Sequence, residues 1–157
     1  MLDDPRRRAA ALAELFLKVE PSLWRDLLDS GAMPAASGKH DRLEWRCLAL
    51  YACVRGLVAA GGFNTETVAA VDHLHALLGE PWPEPERATL AERYNEYGRI
   101  GQELEHAGAH HVTQKLGEAC AAHIAGATPP SLLAELLGTL HESLAEGAAD
   151  AVREGGR

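Results

Sequence analysis

Aromatic side chains are scarce: they supply 5% of the 157 residues, and phenylalanine occurs only twice. A chain so poor in aromatics, with alanine, leucine, glutamate and glycine abundant, leans towards helix and away from sheet. Cysteine is almost as rare. Cys47, Cys53 and Cys120 form an odd count with no CxxC spacing, which excludes a disulfide framework and reads as reduced, small core residues. No apolar run reaches the roughly 18 residues that a membrane span requires. Positive charge is also short, with 15 Lys and Arg against 23 Asp and Glu and a formal net charge of −8. That balance excludes broad binding to a phosphate backbone, and nucleic acid is admitted only if a local basic cleft exists. The one basic run, Arg6-Arg7-Arg8, sits beside Asp3 and Asp4. The opening MLDDPRRR leads into an amphipathic segment rather than an apolar leader core, so a cytoplasmic protein is expected.

What is present is helical periodicity broken by glycine and proline. Apolar residues make up 46% of the chain and charged residues 24%, enough for one domain with a real core. Residues 1–153 are read as that domain and 154–157 as a frayed tail. Asp4 caps a first helix with Pro5 at its first position, running to about Val19 and stopped by Pro21. Ser22 caps a short second helix that Gly31 ends, and GAMPAASGKH follows as the best candidate for a mobile connection. Asp41 begins the clearest helix, where Leu43, Cys47, Leu50, Tyr51, Val54, Leu57 and Val58 form one stripe. Gly61-Gly62 stops it. Asn64 or Thr65 caps the next helix, with Val68, Val71, His75 and Leu78 inward, and GEPWPEPE reads as a rigid extended connection.

From about Arg87 to Ala125 runs the longest helical pattern, with a break expected near Gly98 or Gly101. Leu90, Tyr94, Tyr97, Gly101, Leu104, Gly108 and Val112 share its core face, and Gly101 and Gly108 there would admit a close neighbour. Thr128 or Ser131 caps the last helix, whose stripe is Leu133, Leu136, Leu137, Leu140 and Leu144. No β-alternation and no internal repeat is found. The expected fold is an all-α bundle of four to five main helices with short capping helices.

Chemistry-bearing residues concentrate in GQELEHAGAHHVTQKLGE. Glu103, His106 and His110 fall on one helical face with Arg99 above them. Glu-x-x-His is a spacing that lets carboxylate and imidazole reach one ion, and Asp72 and His75 repeat the acid–His interval on the preceding helix. Asp72, His75, Glu103 and His106 are therefore a metal hypothesis. Against it, at about 100° per residue Arg99, His106 and His110 fall opposite the core stripe, facing solvent unless a second chain covers them. The Leu43–Val58 stripe also offers no glutamate to complete a bundle site. His75 and His123 face inward and read as hydrogen-bonded core residues. Cys120 and His123 stand three apart on one helix, but a reactive cysteine wants an exposed, electropositive pocket. His40-Asp41 reads as a helix cap. AAGGFNTE lacks the lysine and the preceding strand of a phosphate loop, and no cofactor is expected.

Three successive stretches, RCLALYACVRGLVAAGGF, TETVAAVDHLHALLGE and LAERYNEYGRIGQELEHAGAHHVTQKLGEACAAHI, together resemble the HEPN superfamily of helical bundles over about half of the chain. The resemblance lies in pattern: a helix rich in tyrosine and small residues ending in a glycine loop, a second helix, then an Arg–aromatic stretch opening a long last helix. Members that cut RNA carry an Arg followed by His at the spacing of Arg99 and His106, with a polar residue after the Arg where this chain has Ile100. The resemblance implies a homodimer whose long helices face each other and cover Arg99, His106 and His110. It implies one of two roles, a partner or binding module acting through protein contacts, or a metal-independent ribonuclease. In the latter His106 would act as general base or acid and Arg99 would steady the phosphate.

Overall fold

A computed structural model describes residues 1–34 and 38–155. All of its regular structure is helical: α1 (Pro5–Asp29), α2 (Lys39–Gly61), α3 (Thr65–Leu78), α4 (Glu84–Glu103), α5 (Ala109–Ala125) and α6 (Ser131–Glu154), with a single 3-10 turn, Glu105–Ala107, between α4 and α5. The all-α expectation is met, and no strand occurs among the described residues. Part of the expected mobile connection, residues 35–37, lies outside the described residues, as does the end of the expected tail, 156–157.

The centre of the bundle is α2, which packs against all five other helices. Its sequence explains why. Cys47 to Val54 is apolar without interruption, and a helix apolar all round is a buried one. The expected stripe is therefore too narrow: Trp45, Leu48, Ala49, Ala52, Cys53 and Gly56 are buried as well. Gly56 is required there, because a methyl group would stand 2.5 Å from the Ala148 side chain and 2.9 Å from the Ala149 amide nitrogen of α6.

Several boundaries differ from the sequence expectation. Pro21 does not stop the first helix; α1 runs through it to Asp29, with Asp4 capping as expected through a 2.8 Å bond from the Arg6 amide. Proline removes one helical hydrogen bond, but the carbonyl it leaves belongs to Leu17 on the solvent side, and buried Glu20, Trp24 and Leu27 hold the continuation inward. Asp41 is no cap. The N-cap of α2 is Gly38, and Asp41 lies buried in the first turn. Asn64 does cap α3, accepting a 2.9 Å bond from the Thr67 amide. The buried face of α3 is one residue out of phase with expectation: Thr67, Ala70 and Leu74 face the core with Leu78, while Val68 is 59% exposed. Small residues here let α1 approach closely. GEPWPEPE is only partly a connection, since α4 already begins at Glu84; Trp82 is buried under the Arg46 guanidinium, 4.2 Å from its ring. Neither Thr128 nor Ser131 caps α6, whose N-cap is Pro130.

The expected long helix from Arg87 to Ala125 is two helices. α4 ends at Glu103, two residues past Gly101, and the break runs to Gly108, whose φ is +94°. That left-handed backbone suits glycine alone. Gly98 sits in an uninterrupted turn, whereas Gly101 is a notch for a side chain: a methyl there would stand 2.5 Å from the Tyr51 hydroxyl oxygen.

Candidate functional site

The elbow between α4 and α5 carries the residues singled out by spacing. Arg99 and Glu103 lie in the last turns of α4, His106 in the 3-10 turn and His110 in the first turn of α5. All four are exposed as expected, but the helix break between Glu103 and Ala109 means that Glu103, His106 and His110 do not share one helical face. Gly108 was expected inside the packing seam and is instead exposed at the elbow itself, while Leu90, Tyr97 and Val112 are buried as expected.

The second half of the metal hypothesis lies on α3. Asp72 is exposed and His75 is half-buried. His75 Nδ1 stands 3.0 Å from the Val71 carbonyl, so Nδ1 carries the proton, and the ring meets Tyr94 edge to face at 4.6 Å. Among the described residues no three His, Cys, Asp or Glu side chains are gathered to hold a metal ion, so Asp72, His75, Glu103 and His106 do not form one constellation.

His123 and Cys120 do separate work. His123 Nε2 donates to Glu96 at 2.6 Å, a link that ties α5 to α4. Cys120 is fully buried and its thiol donates to the Glu44 carbonyl at 3.7 Å. Burial pushes the Cys47 and Cys53 thiols up to about 12 and the Cys120 thiol higher still. These are inert core groups.

The most ordered polar groups escaped the sequence reading. Glu44, on α2 but outside the expected stripe, has no exposed surface and is gripped by Arg93 of α4 through two bonds of 2.7 Å and 3.0 Å. The hydrogen bond to Glu44 is the main cause of a raised Arg93 pKa. Glu20 of α1, also buried, pairs with Arg42 at 3.2 Å and Arg46 at 3.6 Å. His141 of α6 is fully buried; its Nδ1 donates to the Leu48 carbonyl at 3.0 Å and its ring stacks on Tyr51. Burial, assisted by nearby Arg55, lowers its pKa to about 3, so it stays neutral. The apolar run of α2 is a signal for Glu44 alone, which stands close before it; Glu20 and His141 lie on other helices, and no pattern in the sequence joins them to α2.

One concave surface stands apart from these buried groups. Helices α5 and α6 meet almost backbone to backbone, Gly117 against the Ala134 carbonyl and Gly138 against that of Thr113. Above this seam opens a groove of about 1250 Å³, edged by Glu118, Glu135, Glu142 and Glu146 and containing no Lys or Arg in its lining. Glu142 is engaged by the Thr113 hydroxyl and, at 3.1 Å, by Arg55 of α2. Glu135 and Glu146 have no ion-pair partner among the described residues.

Family models, curated proteins and solved structures alike give no match to this chain. The class defined by the fold is an all-helical bundle, with no helix among the described residues long and apolar enough to cross a membrane.

Proposed function

We propose that this chain is a small interaction module that acts through protein contacts, including contacts with a second copy of itself, in the manner of non-catalytic HEPN-like partner proteins. The observation that carries this reading is the contrast between a shut interior and apolar side chains left in solvent. The thiols, His141 and Glu44 are buried. Phe63, by contrast, is 85% exposed on the turn between α2 and α3. That turn is held firmly: the Gly62 amide bonds the Val58 carbonyl at 2.7 Å, and the Asn64 amide group bonds the Gly61 carbonyl at 2.7 Å. A phenyl ring fixed in water is an anchor whose burial a partner gains at little cost in ordering. Light scattering across a concentration series tests the reading. Mass should rise with concentration in wild type and fall back when exposed apolar side chains are replaced, Phe63→Ser among them; a monomer under every condition overturns self-association.

A second reading is a metal-independent ribonuclease, and the specific support is that Arg99, His106 and His110 all reach solvent at one elbow. His106 would serve as general base or acid towards the 2′-hydroxyl of RNA, with Arg99 opposite the phosphate. The chelator-resistant cleavage of single-stranded RNA by wild type, lost in His106→Ala, is the result this reading requires.

A further inference from the structure

The outer face of α1 is one that nothing in the bundle covers. At about 100° per residue, Ala10, Leu17, Pro21 and Leu28 fall within roughly 40° of one another. Leu17 is 65% exposed and Leu28 42% exposed. Arg7, Lys18 and Arg25 run along one side of this stripe, all exposed, with Glu14 and, at the end of the helix, Asp29 as the acids beside them. An apolar stripe edged by cations is the complement of the α5–α6 groove, whose rim is four carboxylates and whose floor is made of small residues such as Ala134 and Gly138.

We propose that the α1 face of one copy docks in the α5–α6 groove of a second copy. Leu17 and Leu28 would lie towards the small-residue floor, and Lys18 and Arg25 would face Glu135 and Glu146, the two rim carboxylates without ion-pair partners. This inference rests on the interaction reading above and adds a pair of surfaces separate from the turn that carries Phe63. Charge complementarity selects the occupant. The groove lining holds no Lys or Arg; Glu118 and Glu142 are paired with Lys115 and Arg55, but Glu135 and Glu146 keep their charge uncompensated, so an acidic surface is repelled, and α1 is the helix of this chain that joins exposed leucines to three outward cations. Two different patches meet, so the contact is heterologous: one copy keeps a free groove and the other a free α1 face unless the pair closes symmetrically. Exposed charges carry part of the attraction, so salt weakens it.

The test uses the full chain and light scattering. Wild type at low ionic strength should exceed the monomer mass of 16.8 kDa, with the apparent dissociation constant rising about ten-fold in high salt. Leu17→Glu should be monomeric because its α1 face is spoiled, and Glu135→Lys combined with Glu146→Lys should be monomeric because its groove is. An equimolar mixture of those two proteins still holds one intact face and one intact groove, so it should recover association that neither shows alone. Circular dichroism confirms that each variant keeps its helices; because both substitutions are at the surface, folding is expected to be retained. Association that survives both sets of substitutions but disappears in Phe63→Ser overturns this docking mode and leaves the interaction reading standing. A monomer at every concentration and salt overturns self-association and this inference together.

Discussion

The guanidinium of Arg93 places two hydrogen bonds, 2.7 Å and 3.0 Å long, on the carboxylate of Glu44, which has no exposed surface at all. The parallel fork fixes α4 in register against α2, a contact that apolar packing alone would leave free to slide. Such a pair is weak evidence for net stability, because both charges leave water. Removing one member is another matter.

Arg93→Ala should therefore destabilise the bundle by about 3–5 kcal/mol, since it leaves the Glu44 carboxylate buried without its counter-charge. Glu44→Leu combined with Arg93→Leu should cost much less than Arg93→Ala alone. Urea unfolding of the two proteins checks this. A double variant that is no better than the single one would show that the fork contributes packing and not charge compensation.

His141 sets a pH dependence of known sign. Its folded pKa of about 3 lies below the ordinary 6.5, so the unfolded chain takes up a proton that the native chain refuses. Stability from this group is complete above about pH 6.5 and declines as pH falls from there towards about 3, with a slope approaching 1.4 kcal/mol per pH unit. Between about pH 6.5 and pH 5 the loss should reach roughly 2 kcal/mol. His141→Gln keeps a donor near the Leu48 carbonyl and cannot titrate. Its urea midpoint should be lower at neutral pH and should change less than that of wild type on acidification.

The residues that made the fold legible and those that hid the polar interior are the same ones. Apolar spacing located the helices because the period survives wherever one side of a helix meets water, as in α6. It located α2 as well but drew its buried face too narrow, because burial on nearly every side conceals Glu44. Proline and glycine were read as stops by local preference. Pro21 is overridden by the burial of Trp24 and Leu27 beyond it, and Gly98 by an unbroken helix. Gly62, Gly108 and Gly126 have the positive φ found at helix boundaries and Gly98 does not, a difference that composition does not reveal. At the elbow Arg99, His106 and His110 are exposed as expected, but the single helix on which their phase rests is broken between them, so the elbow and not a shared face puts His106 and His110 in solvent. The pairing of Glu96 with His123 joins two helices across 27 positions, and no single-helix argument reaches it.

Glycines divide by what stands opposite them. A methyl at Gly117 would press into the Ala134 carbonyl and lie 2.9 Å from the Gly138 amide nitrogen, all of it backbone. Gly117→Ala should push α5 off α6 and cost roughly 1–3 kcal/mol. At Gly98 nothing lies within 4 Å, so Gly98→Ala should stabilise by about 0.5–1 kcal/mol through reduced freedom of the unfolded chain. Paired thermal melts give the sign of each change.

The thiols report on how the bundle opens. Cys47 and Cys53 are held near 12 by burial, and all three cysteines are buried and free. At neutral pH almost no thiolate forms in the native protein, and a thiol reagent has no path to it. Labelling of wild type should be slow, and it should speed up by orders of magnitude in denaturing urea. Cys120 packs beneath α4, between Tyr97 and the Glu44 carbonyl, so it becomes reachable when α4 lifts from α2. Cys53 lies near the middle of α2, which every other helix covers. With Arg93→Ala loosening α4, Cys120 should gain reactivity before Cys53 does. Equal acceleration at both positions would mean instead that the helices separate in one concerted step, with the Glu44–Arg93 fork as much a lock on the whole bundle as on α4.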